Sequence, residues 1–366
     1  MTYVLDLDRT TNKSIKRAYR SELEKASRIL TDPEPGRDRV HDARTSVKKA
    51  RALLRLTRHD VGGALFAREN DALRGAGRAL SRITSDPVEE LLPSISPNGD
   101  VVLFETRVWQ DRELAQQTIV GVAPDTGAMR TLYTSSNAKA SWPAWMPDGS
   151  AVVFTSDASG KPSLVKSLAA QPNAAITVIA SGDAAPAPKH PTISPDGHRV
   201  AFQAEIRGKQ QIAVVGIDGS RLTMLGEGQR PAWSPDGRRI AFSRRVGEYN
   251  QLFLINADSG TNLVQLTNDF ADNDNPAWSP NGKLIVFNSN RGWDRAGSAR
   301  DAVWNLFAIK TNGTGLLQLT DGDSDTGGPC WGKDGWLYFH SNQAGGYDIW
   351  RMHPAGELET MGTATK

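Results

Sequence analysis

Ala232-Trp-Ser-Pro-Asp-Gly-Arg-Arg-Ile-Ala-Phe242 decides the fold of this 366-residue chain, because versions of it recur along most of the sequence. The other copies span Ser94–Phe104, Ala144–Phe154, Thr192–Phe202, Ala277–Phe287 and, more loosely, Cys330–Phe339. Their central glycines are 40 to 53 residues apart. A repeat of that length, with four short strands in each unit, is typical of the blades of a β-propeller.

Each copy predicts two strands joined by a tight turn. Pro fixes its own φ, Asp or Asn bonds the local backbone, and Gly accepts a positive φ without steric cost. The apolar run after the turn does not alternate with polar residues, so we expect both faces of that strand to be buried. The strand before the turn ends in a branched or aromatic residue, namely Ile95, Trp145, Ile193, Trp233, Trp278 and Trp331.

A third strand is predicted after each copy, followed by a Gly-containing turn and an outer strand, as in Leu263–Thr267 and Leu316–Thr320. The third strands are Gln117–Val122, Ser163–Ser167, Gln211–Gly216, Gln251–Asn256, Trp304–Lys310 and Tyr347–Met352. Six such units predict a six-bladed disc. Two segments compete for the outer strand of the sixth blade: Leu358–Gly362, which we favour, and Ala79–Thr84.

The repeated phrase resembles the Pro-Asp repeats of TolB-like propellers. The last unit, Asp321–Phe339 followed by Tyr347-Asp-Ile-Trp-Arg351, is the most similar part, and the resemblance covers about Pro93–Thr363. It implies binding of a protein or ligand on one face of the disc, or service as a lid that controls substrate access. Because this fold hosts many functions, the resemblance is more specific for architecture than for activity.

The first ninety residues have a helical pattern. Apolar residues recur every three or four positions over 14–30, again from Val40 to Leu54, and again over a segment that begins near Ala64. Three antiparallel helices of this length can bury one small core. The predicted fold class is therefore α plus all-β, with an N-terminal three-helix unit over 1–91 and a six-bladed propeller over 92–366.

Positive charge is concentrated in this N-terminal part, where residues 1–90 hold 19 Lys and Arg against 14 Asp and Glu. A stripe with steps of three and four residues lies on one predicted helix face: His41, Arg44, Lys48, Arg51 and Arg55. A linear polyanion would neutralise several of these charges at once, in a strongly salt-dependent way. The alternative is a solvated face balanced by nearby carboxylates such as Asp42, Glu69 and Asp71.

Val40–Leu56 resembles the signature helix of the conserved-histidine α-helical (CHAD) domain. That resemblance implies binding of inorganic polyphosphate through basic helix faces. The residues that it assigns to phosphate are His41, Arg44, Lys48, Lys49, Arg51 and Arg55, with Arg74 and Arg78 as further candidates. CHAD domains are typically about twice as long as this segment, so the second half of the usual ligand set is absent before the propeller begins.

Catalytic signatures are missing from the sequence, which has no Gly-x-Ser-x-Gly, His-Glu-x-x-His, Walker loop or dinucleotide fingerprint. We therefore predict a protein that is not an enzyme and has no cofactor. Two acidic loops, one with Asp269, Asp272 and Asp274 and one with Asp321, Asp323 and Asp325, could chelate Ca²⁺. We expect their carboxylates to bond local backbone instead, and we predict no metal site.

A protein partner is expected on one face of the propeller. Large aromatic residues and arginines on loops often form such contacts. The candidates are Trp109, Arg291, Trp293 and Arg295, with Trp304 and Arg300 beside them. All but Trp109 lie in or next to the longest insertion, residues 290–301. Packing of the rings against the blade is the alternative.

The chain begins without the basic and apolar pattern of a secretory signal, and no run approaches the length of a membrane span. We predict a cytoplasmic location and no membrane contact. Taken together, the sequence favours a non-enzymatic binding protein whose basic helices hold polyphosphate or another polyanion and whose propeller holds a protein. The alternatives are a hydrolase or lyase with a site on the disc face, and a nucleic-acid-associated protein that uses the basic helix.

Overall fold

The structure is a computed structural model that describes residues 21–22, 24–25, 89–110, 113–133, 138–170, 176–181, 185–291, 303–320, 324–343 and 346–354. The chain divides into two compact units, Met1–Arg82 and Ile83–Lys366. The four described residues of the first unit are helical, and Lys25 pairs with Glu22 at 3.0 Å. The rest of the predicted three-helix unit lies outside the described residues. Among those that are described, no helix has the length and hydropathy needed to span a bilayer.

The described residues of the second unit form six antiparallel sheets, which confirm the predicted six-bladed propeller. Blade 1 holds β1 (Glu89–Ile95), β2 (Val102–Gln110), β3 (Glu113–Val122) and β4 (Met129–Tyr133); blade 2 holds β5 (Ala140–Trp145), β6 (Ala151–Ser156), β7 (Ser163–Leu168) and β8 (Thr177–Ser181). Blade 3 holds β9 (Lys189–Ile193), β10 (Arg199–Ile206), β11 (Lys209–Gly216) and β12 (Thr223–Glu227); blade 4 holds β13 (Gln229–Trp233), β14 (Arg239–Val246), β15 (Tyr249–Asn256) and β16 (Val264–Gln265). Blade 5 holds β17 (Asn273–Trp278), β18 (Leu284–Ser289), β19 (Asn305–Lys310) and β20 (Leu317–Gln318); blade 6 holds β21 (Thr326–Trp331), β22 (Leu337–Ser341) and β23 (Asp348–Met352).

Within each blade the strands follow one another from the centre of the disc outward. The first strand of each blade contacts the first strand of the next, and β21 contacts β1, so the ring is closed. The predicted third strands are confirmed as β3, β7, β11, β15, β19 and β23, with ends that differ by a few residues. Both candidates for the outer strand of blade 6, Leu358–Gly362 and Ala79–Thr84, lie outside the described residues.

The core lies between neighbouring blades. The repeated Phe at the end of each apolar run is buried in all six blades, as the sequence pattern predicts. Val102, Leu103 and Phe104 of β2 are each 0% exposed although successive side chains point to opposite faces. Both faces of the second strands are therefore covered, one by the preceding blade and one by the following blade.

The six turns form a second ring, on the side of the disc that we call the turn face. Their glycines have φ between +68° and +84°, a region that costs an L side chain energy. In blade 4 the backbone N–H of Arg239 donates to the Ser234 hydroxyl at 2.9 Å, which holds the turn closed. The loops between second and third strands, and the connections between blades, lie on the opposite face.

Candidate functional site

A ring of six residues narrows the central channel, and its geometry comes from an X-Pro pair inside every first strand. The pairing of the first strand with the second shifts register at this pair in all six blades. The residue before the proline has a φ between +51° and +58°, which is rare outside glycine. We call these six residues the channel ring: Leu92, Trp142, His190, Arg230, Asn275 and Gly328.

The channel ring lies at the inner end of a funnel that opens toward the turn face. The funnel has a volume of about 640 Å³ and is lined by the first strands of all six blades, by the turn prolines of the first five and by Lys333 in the turn of the sixth. Three consecutive ring residues, His190, Arg230 and Asn275, have polar side chains, whereas Gly328, Leu92 and Trp142 complete a largely apolar half. The ring therefore offers chemically different contacts on its two sides.

Polar side chains from each second strand reach toward the next blade. They occupy the position after the repeated Phe: Glu105, Thr155, Gln203, Ser243, Asn288 and His340. The backbone N–H of Leu92 donates to His340 Nδ1 at 3.3 Å. That of Arg230 donates to Gln203 Oε1 at 3.3 Å, and that of Trp142 donates to Glu105 Oε2 at 3.2 Å. These bonds satisfy N–H groups that the bulge removes from the strand ladder.

Two buried carboxylates beneath the ring each hold an arginine. Glu105 is 0% exposed and accepts from Arg107 Nη2. Asp274 accepts from Arg230 Nη1 at 2.6 Å and from the Asn275 N–H at 3.0 Å. Burial raises the pKa of both carboxyl groups, and the paired arginine opposes that rise in each case.

Two histidines on opposite sides of the ring are kept neutral. Burial, with the positive charge of Arg230, holds the pKa of His190 well below its usual value. Burial together with Arg107 and Arg230 lowers the pKa of His340 to about 3. Because His340 Nδ1 accepts the Leu92 N–H, its ring proton is assigned to Nε2. His340 thus acts as a neutral hydrogen-bond acceptor, whereas the His190 ring packs against Trp142.

A second cavity, which we call the side cavity, lies toward the opposite face beside blades 4, 5 and 6. Its volume is about 350 Å³, and it shares Arg230 and Asn275 with the funnel. Asp272 and Asp325 line it together with the aromatic residues Trp304 and Tyr347. Its polar and acidic lining distinguishes it from the funnel.

Three of the acidic-loop carboxylates bond groups that are 21 or 22 residues away in sequence, rather than the local backbone that the sequence predicts. Asp272 accepts from the Asn250 N–H at 2.8 Å, and Asp325 accepts from the Trp304 N–H at 3.0 Å. Asp269 pairs with Arg291 at 2.9 Å. Within the described part of the chain, no group of three His, Cys, Asp or Glu residues has a geometry suited to a metal ion. Asp321 and Asp323 lie outside that part.

The predicted partner residues fall into three groups. Trp109 is 51% exposed on the opposite face, where its indole N–H donates to Glu89 Oε2 at 3.0 Å. Arg291 is largely enclosed, because its guanidinium lies over the rings of Phe287 and Phe307 and bonds Asp269. Trp293 and Arg295 lie outside the described residues. So do all the predicted polyanion ligands: His41, Arg44, Lys48, Lys49, Arg51, Arg55, Arg74 and Arg78.

Sequence reasoning missed the channel ring and an exposed aromatic residue. The ring had a visible signal, since a proline precedes the Trp or Ile of every copy by two positions. Phe270, in the connection between β16 and β17, is 93% exposed on the opposite face, with its ring edge-on to Tyr249 at 6.4 Å. The sequence does not predict the exposure of Phe270, because a single Phe beside acidic residues is equally compatible with a buried position.

Comparison with known proteins agrees with this architecture. Residues 190–296 match the TolB beta propeller domain family, PD40. Among curated proteins, none matches the chain significantly.

Solved structures with the same fold include two TolB proteins. The putative TolB from Agrobacterium tumefaciens is 22% identical, with a TM-score of 0.53 over 63% of this chain and 82% of that chain. TolB from Acinetobacter baumannii is 18% identical, with a TM-score of 0.54 over 80% of this chain and 67% of that chain. A gluconolactonase from Xanthomonas campestris is 12% identical, with a TM-score of 0.55 over 74% and 87%. Such low identities show the fold alone, so the chain carries a six-bladed β-propeller like that of TolB, within which residues 190–296 match the PD40 family.

Proposed function

We propose that this protein is a binding protein that holds a polypeptide partner on the opposite face of its propeller. The observation that carries the proposal is Phe270, whose side chain is 93% exposed although burial of a Phe is worth about 2 kcal/mol or more. Trp109 presents a second exposed ring on that face. Exposed aromatic residues are characteristic of partner contacts.

The framework of the repeat supports recognition at the centre of the disc as well. The prolines, turn glycines and buried Phe residues repeat from blade to blade, which a closed ring of similar sheets requires. The channel ring differs in all six blades, although its backbone geometry is the same. A varied set of side chains on a uniform frame is what selective contact with one partner needs.

A displayed peptide library, selected on the immobilised full chain, provides the test. We expect enriched peptides whose affinity drops about ten-fold or more in Phe270→Ala and Trp109→Ala, since truncation of a hot-spot residue commonly costs about 2 kcal/mol. Leu263→Ala, which removes a 45% exposed side chain from the turn-face side, is the matched control. Equal binding to the wild type and both aromatic variants would refute this location.

The basic stripe of the N-terminal part supports a second, separate function: binding of polyphosphate. Its steps of three and four residues bring His41, Arg44, Lys48, Arg51 and Arg55 onto one predicted helix face. We expect long-chain polyphosphate to bind in a salt-sensitive way and to lose binding when Arg44, Lys48, Arg51 and Arg55 are all changed to Gln. Duplex DNA at matched salt is the comparison ligand, and binding that survives the four changes would exclude the stripe.

A further inference from the structure

The side cavity holds two carboxylates that have no cationic partner among the described residues. Asp272 and Asp325 occupy equivalent places in neighbouring blades, each oriented by the backbone N–H at the start of a third strand. Neither forms an ion pair with a described Lys, Arg or His. Their two negative charges therefore face the cavity in a fixed arrangement.

Two acidic residues close to Asp272 in sequence show which side chain pairs with carboxylates in this region. Asp269 and Asp274 lie three residues before and two residues after Asp272, and each is paired with a guanidinium. Arg291 bonds Asp269 at 2.9 Å, and Arg230 bonds Asp274 at 2.6 Å. Carboxylates with a fixed orientation favour arginine, because its planar donors match their geometry. Asp272 is thus flanked by two satisfied acids while its own carboxylate has no such partner among the described residues.

An independent observation on Asn288 indicates a missing donor. This side chain lines the side cavity, is only 5% exposed, and its Oδ1 accepts no hydrogen bond within the described part of the structure. Glu105, Gln203 and His340 occupy the same repeat position, and each accepts an N–H from the next blade. Buried acceptors normally receive a hydrogen bond. A bound ligand with an N–H or O–H group would supply the hydrogen bond that Asn288 Oδ1 lacks among the described residues.

Aromatic residues complete the cavity. Trp304 and Tyr347 both line it, and the Tyr347 hydroxyl donates to Asp325 Oδ2 at 3.1 Å. Burial and the neighbouring Asp325 raise the pKa of Tyr347 to about 12, so the hydroxyl keeps its proton. Guanidinium groups stack on aromatic faces while their edges donate to carboxylates. A metal ion would need more coordinating side chains than the described residues bring together.

We propose that the side cavity binds a guanidinium group, presented by an arginine of the polypeptide partner. The source of the arginine rests on the proposed function, whereas the binding of a guanidinium depends only on the residues that line the cavity. The guanidinium supplies five N–H donors for the acceptors of Asp272, Asp325 and Asn288, and its single positive charge offsets one of the two negative charges. Phe270, two residues before Asp272, would contact the peptide around that arginine.

Binding of Nα-acetyl-arginine amide to the full chain tests the cavity directly. The citrulline analogue, which keeps the shape and loses the charge, should bind at least ten-fold more weakly. Asp272→Asn should lower the affinity for the arginine compound at least ten-fold while keeping an oxygen for the Asn250 N–H. Asp258→Asn, an acid 79% exposed on the turn-face side, carries the same charge change as a control. Unchanged melting temperatures verify that the variants fold.

Other outcomes separate this inference from the proposed function. Equal binding of the arginine and citrulline compounds, or no effect of Asp272→Asn, would overturn the guanidinium site. Peptides that bind through Phe270 but tolerate replacement of every arginine by citrulline would overturn it too, and would leave the partner surface intact. Binding of the arginine compound without any enriched peptide would support the cavity and refute the polypeptide partner as its source.

Discussion

His340 in blade 6 accepts a hydrogen bond from the backbone N–H of Leu92 in blade 1, at 3.3 Å, across 248 residues of sequence. The contact lies where the last blade meets the first, so it belongs to the closure of the ring. The backbone adds a second closure contact, since the Glu90 N–H donates to the Tyr347 carbonyl at 2.9 Å. Closure therefore depends on polar bonds near the channel as well as on apolar packing.

We predict that His340→Leu lowers the free energy of unfolding by about 1–3 kcal/mol, because it leaves the Leu92 N–H without an acceptor. His340→Gln should retain most of the stability, since Gln203 occupies the same position in blade 3 and accepts the N–H of Arg230. Urea unfolding followed by tryptophan fluorescence measures both variants. A leucine variant as stable as the wild type would show that the bond contributes nothing to closure.

The low pKa of His340 predicts acid sensitivity. Its folded pKa is about 3 and its unfolded value about 6.5. Between those values only the unfolded state binds the proton, so stability falls as the pH drops below about 6.5, by up to about 1.4 kcal/mol per pH unit. The positive charges of Arg107 and Arg230 disfavour protonation of the His340 imidazole. The Tyr347 ring packs edge-on against that imidazole.

Unfolding free energies at several pH values between 7 and 4 test this account. The wild type should lose more stability on acidification than His340→Gln, in which this titration is absent. His190 titrates in the same direction and is present in both proteins, so it cancels in the comparison. His198→Gln, on the turn face, is the control for loss of a histidine. Parallel pH profiles for the wild type and His340→Gln would contradict the low pKa.

The fold could be predicted from the sequence because its information is local. A Pro-Asp-Gly turn and the apolar run after it specify a buried hairpin within about ten residues, and six copies specify the ring. The channel ring was harder, although its prolines were visible. The residue before a proline normally prefers an extended backbone. Residues such as Arg230 instead have a positive φ, because the bulge turns them out of the ladder.

The site depends on contacts that sequence spacing does not report. Asn288 and Gln203 follow the same repeated Phe, but Gln203 Oε1 finds an N–H in the next blade and Asn288 Oδ1 does not. The position of Arg291 in a long insertion predicts a partner contact, yet its guanidinium lies over two Phe rings of its own blade. Such differences arise from side-chain packing between and within blades, not from a local pattern.

The buried pair of Asp274 and Arg230 predicts an asymmetric response to mutation. Arg230→Met should cost about 3–5 kcal/mol, because Asp274, with a side chain only 5% exposed, is left as an unpaired charge. Asp274→Asn should cost less, since Arg230 is 33% exposed and reaches water. The double variant should recover part of the loss. Chemical unfolding of the four proteins gives the coupling energy.

The pH dependence of the same variants has the opposite sign from that of His340. Burial already raises the folded pKa of Asp274, and removal of Arg230 raises it further. A raised folded pKa means that the folded state binds the proton first, so acidification stabilises it over that interval. The deficit of Arg230→Met should therefore shrink between pH 7 and pH 5. A deficit that stays constant with pH would show that Asp274 is not the source of the cost.

The contrast between Arg291 and Phe270 gives the final prediction. Arg291→Ala removes a guanidinium that is 16% exposed and placed over two rings, and it leaves the buried Asn273 Oδ1 without that donor, so we expect a loss of about 1–3 kcal/mol. Phe270→Ala removes a ring that is 93% exposed, so stability should change by less than about 0.5 kcal/mol. Thermal unfolding measures the first effect, and binding of the enriched peptides measures the second. Arg291 then acts as a structural residue of blade 5, and Phe270 as a contact residue. A Phe270→Ala protein that is strongly destabilised, or an Arg291→Ala protein that folds normally but loses the peptide, would reverse these assignments.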